Sequence, residues 1–159
     1  MPADQAIEPR VILEPLGQPQ QAGPPEAWTV RWRLTNQTDA DLRVLEIWFP
    51  HNRYFAARQR FDAPPFDLPA GASAETASKM TCGEPPGSVI ENAFMILQAA
   101  WGGERWRLLA RLTVTVAQNG VPIAAVQAIT AQRAGFSPRS PNTPQPATMR
   151  NDGAVDAPG

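Results

Sequence analysis

One cysteine, one histidine and one tyrosine occur in 159 residues, and lysine is found only at Lys79. Each shortage closes off a class of chemistry. Cys82 on its own cannot form an internal disulfide or a thiolate cluster. With His51 as the sole imidazole, zinc and copper sites of ordinary kind lack a ligand set within one chain. No metal and no cofactor is therefore expected. Nucleophilic catalysis needs a nucleophile, a base and an orienting group, and His51 is the one base that titrates near neutral pH. Its only thiol partner would be Cys82. The preferred reading of that pair is a small buried thiol and a loop imidazole, so the expectation is a protein that is not an enzyme. Glycine-rich phosphate loops are missing too, because "PAGAS" and "WGGER" are turns with no helix behind them.

Long apolar runs are also lacking, and nothing approaches the roughly 18 to 20 residues of a membrane span. The opening "MPADQAIEPR" carries acids and no apolar centre, unlike a secretory signal. These features read as a soluble, cytoplasmic protein without a membrane span. Fourteen Lys and Arg stand against fifteen Asp and Glu. That near balance gives no whole-molecule field to draw the chain to nucleic acid or membrane.

Proline is plentiful, with 18 residues, and it punctuates the ends and one central loop around Pro64, Pro65 and Pro69. Between those marks runs a two-residue periodicity. In "RWRLLARLTVTV", Trp106, Leu108, Ala110, Leu112, Val114 and Val116 alternate with a more polar set that includes Arg105, Arg107 and Arg111, the pattern of a half-buried strand. "WTVRWRLT" repeats it with Trp28, Val30, Trp32 and Leu34. Gly102 and Gly103 in "WGGERW", and Asn119 and Gly120 in "AQNGVP", supply the positive φ of tight hairpins. Asn36, Thr38, Asp39 and Asp41 cluster in a polar turn. A calcium site and an Asn-x-Thr glycosylation sequon are the functional alternatives there, and the turn is the preferred reading.

Strands are expected near 10 to 14, 27 to 36, 42 to 49, 73 to 82, 90 to 101, 105 to 117 and 121 to 131. "VIENAFMILQAAW" has helical propensity, but its length and its Gly-Gly connection to the Trp106 strand favour a strand. Seven short strands without an amphipathic helix indicate an all-β, antiparallel sandwich over 10–133. It would follow a flexible N-terminus over 1–9 and precede a disordered, proline-rich tail over 134–159.

From about Trp28 to Thr130, "WTVRWRLTNQTDADLRV", "LPAGASAETASKMTC" and "MILQAAWGGERWRLLARLTV" together resemble the immunoglobulin-like and fibronectin type III-like sandwich modules of bacterial proteins. The resemblance implies a non-catalytic binding or spacer module. The paired cysteines of true immunoglobulin domains are missing, so nothing about their recognition carries over.

"LEIWFPHNRYF", Leu45 to Phe55, changes phase: Leu42 and Val44 are on one phase, Leu45, Ile47 and Phe49 on the other. Either a bulge sits near Val44 and Leu45 or the strand is covered on both faces. Trp48 or Phe49 is expected to face the core opposite Trp32 and Trp106. Past Pro50 the alternation ends, and His51, Arg53, Tyr54, Arg58 and Arg60 lie in what reads as a 51–61 loop. Tyr and Arg are the residues most enriched in binding hot spots, so these five are the candidate partner-binding residues. The functional expectation is a protein–protein interaction or structural accessory module whose partner is another protein subunit, with no tight nucleic-acid binding. The alternative is a module that holds a small anionic or glycan ligand through the 51–61 loop.

Overall fold

The computed structural model describes residues 7–134. The expected flexible N-terminus and proline-rich tail lie outside these residues except at their inner margins.

Within them the chain is all β. It forms β1 (Val11–Gln21), β2 (Ala27–Asn36), β3 (Leu42–His51), β4 (Tyr54–Arg60), β5 (Phe66–Leu68), β6 (Ser73–Thr81), β7 (Val89–Trp101), β8 (Glu104–Val116) and β9 (Pro122–Arg133). Every pairing is antiparallel, in the order β1-β2-β6-β4-β3-β7-β8-β9, with β5 against β3. All seven expected strands form. The first runs on to Gln21 because Gly17, at φ 63°, lets it bend between Leu16 and Gln20 without ending. β7 is a strand despite its helical propensity, since pairing with β8 from Val89 to Trp101 buries alternate side chains.

Two seams interrupt the sheet. β1 and β9 lie alongside each other without a shared ladder, which brings the sheet near to closing as a barrel. β4 and β6 are joined by the single pair Phe55↔Thr81. Beyond it the facing edges of β4 and β6 part company.

One core fills the interior. The even-numbered side chains Trp106 to Val116 of β8 and Trp28 to Leu34 of β2 point inward as their alternation requires. Trp32 stacks on Phe49 with centroids 5.6 Å apart, and Trp101 meets Trp106 edge-on at 6.0 Å. Phe49, not Trp48, is therefore the aromatic that β3 sends to the core. The phase change in β3 is a bulge: Val44 pairs with Ala99 but Glu46 with Gln98, leaving Leu45 over. Sequence reasoning missed β4 and β5. What reads as a 51–61 loop is largely β4, hydrogen-bonded to β3 from Glu46 to His51.

The "NQT" turn is a buried hub. Asn36 is wholly buried, and its Nδ2 donates to the Ala40 and Leu68 carbonyls at 2.8 and 3.0 Å. Its Oδ1 accepts from the Thr38 N–H and hydroxyl at 3.0 and 2.8 Å. Trp101 Nε1 closes the set by donating to Thr38 Oγ1 at 3.0 Å. The carboxamide is thus fully committed, which leaves it neither a cation ligand nor a glycan acceptor.

Candidate functional site

The β3–β4 hairpin turns at Asn52 and Arg53, because His51 pairs directly with Tyr54. Such a two-residue connection fixes which way the side chains of β4 point from Tyr54 to Ala56, up to the register shift between Ile47 and Phe49. Tyr54 falls inward: it is fully buried, with its ring edge-on to Phe49 at 5.9 Å. Phe55 falls outward and is 43% exposed, opposite the exposed Pro50.

Of the five candidate residues, His51, Arg53, Arg58 and Arg60 lie on the outside of this hairpin and Tyr54 does not. His51 Nδ1 accepts the Arg53 N–H at 3.0 Å, a contact that closes the turn. Arg53 reaches Glu84 at 3.1 Å. Arg58 and Arg60 share one carboxylate, Glu46, at 2.7 and 3.1 Å, and the Arg58 guanidinium lies 3.9 Å from the centre of the Trp48 ring. Trp48 faces outward and is capped by that cation. The arginines are thereby held in defined positions.

Phe55 is the surface residue that sequence reasoning did not single out. The signal was present: a two-residue turn at Asn52 and Arg53 makes neighbouring Tyr54 and Phe55 point to opposite faces. With 51–61 read as a loop, that phase is invisible.

Cys82 and Tyr54 lie on the inner side of the same region. Burial pushes the Cys82 thiol above its ordinary range and holds the Tyr54 phenol well above its own. Both stay protonated at neutral pH. An activated thiol needs the reverse shift, and the His51 nitrogen that accepts from Arg53 is engaged in the turn. The geometry suits a structural cysteine.

The β4–β6 seam opens beside the hairpin. Two grooves lie end to end along it, each walled on one side by β6. One, of about 340 Å³, runs between Ala57, Arg58 and Gln59 of β4 and Ala77, Ser78 and Lys79 of β6. The other, of about 420 Å³, lies between the segment Arg60 to Asp67 and Ala74, Glu75 and Thr76. Ser78 is 3% exposed, and its Oγ has no hydrogen-bond partner among the described residues.

Comparison with protein-family models, with curated proteins and with solved structures returned no match.

Proposed function

We propose that the chain is a non-catalytic protein–protein interaction or structural accessory module, built as an immunoglobulin-like sandwich. The strand order supports the sandwich reading. Cut at its two seams, the sheet divides into β1-β2-β6 and β4-β3-β7-β8-β9. With β1, β2, β3, β4, β6, β7 and β8 taken as strands A, B, C, C′, E, F and G, these are the A-B-E and C′-C-F-G arrangements of immunoglobulin-like domains, with β9 added.

The observation that carries the functional reading is the outer surface of the β3–β4 hairpin. It carries a 43%-exposed Phe55, with Arg53 two residues before it in the turn and Arg58 and Arg60 further along β4, the arginines paired with Glu84 and Glu46. An exposed aromatic on a strand that also carries positioned arginines has the composition of a protein–protein interface. The two groups of a conceivable dyad are engaged elsewhere, Cys82 in the core and His51 in a turn. The glycan alternative loses support at Trp48, since Arg58 covers the ring face on which a sugar would stack.

A photo-crosslinking amino acid placed at position 55 in the host cell tests this reading. The expected result is an adduct to one protein that is missing when the same probe stands at Ile123, which is comparably exposed on β9. Identical adducts from both positions would refute it.

A further inference from the structure

Resting on that reading, and extending it to the adjoining groove, we infer that the β4–β6 seam is a strand-addition site. It takes an extended segment of a partner polypeptide in which apolar residues alternate with polar ones, at least one of them acidic. Three observations support this occupant.

The first is the backbone. β6 pairs with β2 throughout, from Ser73 to Thr81, yet meets β4 only at Thr81. The far side of β6 from Ser73 to Met80 and the near side of β4 from Ala56 to Arg60 thus have no ladder partner among the described residues. An edge of this kind is a template for an added strand, whose main-chain groups supply affinity while its alternate side chains supply specificity.

The second is the lining. Ile47, Phe49 and Ala56 form the inner wall, and the Ser78 hydroxyl lies there 3% exposed and unpartnered. A buried hydroxyl without a partner is costly, and one that gains its partner on binding converts that cost into affinity. The inward side chains of an added strand would be apolar, to match the rest of the wall, and a main-chain group of that strand would partner the Ser78 hydroxyl.

The third is charge. Arg58 and Arg60 share the single carboxylate of Glu46, and Lys79 has no ion pair among the described residues. In the groove between Ala57–Gln59 and Ala77–Lys79 the charged lining residues are Arg58 on one lip and Lys79 on the other, whereas Asp62, Asp67 and Glu75 line the second groove, so a carboxylate on the outward side of the added strand suits the first. Edge cations also deter strands of the wrong charge from adding.

The test uses the full chain and a fluorescent octapeptide in which valine alternates with threonine and two glutamates, titrated by anisotropy. Saturable binding is expected, together with new hydrogen-exchange protection of amides between Ser73 and Met80. Methylating alternate peptide nitrogens should abolish binding, and lysine in place of glutamate should weaken it. Lys79→Glu should weaken it by about fivefold or more, the worth of one charge-assisted contact. Ser78→Ala should do likewise while leaving the melting temperature at or above that of the wild type, because it removes an unpartnered buried group.

Absence of binding, or binding indifferent to methylation and to Lys79→Glu, would overturn the proposal. So would protection of the same amides before any peptide is added, or a dimer in sedimentation that Lys79→Glu dissolves. Those two results would assign the groove to another part of this chain or to a second copy. If peptide binding fails while the adduct at position 55 persists, the groove is refuted and the interaction module stands. Failure of both refutes the module.

Discussion

Tyr54 and Phe55 are adjacent in the chain, and the hairpin sends them to opposite sides of the sheet. The inner one is a packing residue whose hydroxyl finds no partner among the described residues. Tyr54→Phe should therefore change stability by less than about 0.5 kcal/mol or raise it slightly, since it removes an unsatisfied buried group at constant shape. Tyr54→Ala should cost about 3 to 5 kcal/mol, the usual cost of emptying a buried aromatic site. Urea midpoints of the two variants check both values, and near-wild-type behaviour of the alanine variant would place Tyr54 at the surface. Asn36→Ala should cost at least about 2 kcal/mol, because it strands the Thr38 donors and two carbonyls in a buried turn. The sequence "NQT" marks a turn by composition. It does not reveal that Trp101, far along the chain, completes its hydrogen bonds, because long-range partners leave no local periodicity.

At the level of elements, turn chemistry was the most legible signal. Gly102 and Gly103 take φ values of 59° and 77° in the β7–β8 connection, where Trp101 pairs with Glu104. Gly103→Ala should destabilise by about 1 kcal/mol or more, because alanine is strained at positive φ. The open space around a Cβ at that position means strain is the whole of the effect. A thermal melt unchanged by the substitution would contradict it. β8 and β2 were readable because one face is buried and the other is wet. β4 was not: after Ala56 it runs along the open seam, and its Ala57, Arg58, Gln59 and Arg60 are all exposed. Alternation needs two unlike faces, and this stretch has none. β5 is three residues long, too short to show a period.

For the molecule as a whole, the two seams decide both shape and chemistry. Placing strands in order along a sheet, or finding where a ladder stops after one pair, depends on contacts between distant segments, so the sequence disclosed the class and the alternation phases but not the groove. Charge is similarly local. Arg31 lies 2.8 Å from Glu75, and Arg33 lies within 4.0 Å of both Glu14 and Glu75, so the β2 arginines face carboxylates. We expect elution from heparin or DNA resin below about 0.3 M salt, since a polyanion would have to displace these acids and the remaining attraction is screened. Retention beyond that concentration, lost with Arg105→Glu and Arg107→Glu, would contradict this.

Stability should also fall with rising pH. Cys82 and Tyr54 both have folded-state pKa values above their unfolded values of about 8.5 and 10. Their contribution is complete below those unfolded values and is lost as pH climbs from them through the higher folded values, because the unfolded chain gives up its protons first. Urea midpoints should therefore decline above about pH 9, and Tyr54→Phe should flatten the upper part of that decline. An identical pH profile for wild type and variant would argue against the burial of the phenol.

If the outer face of the β3–β4 hairpin meets a partner, as proposed, a single variant separates binding from packing in two readings. Phe55→Ser should leave the thermal midpoint within about 2 degrees of wild type, as expected of a surface change. The affinity for the protein crosslinked at position 55 should fall by about 2 kcal/mol or more, the hot-spot threshold. Loss of stability with undiminished affinity would contradict the account and assign Phe55 to the packing of the domain.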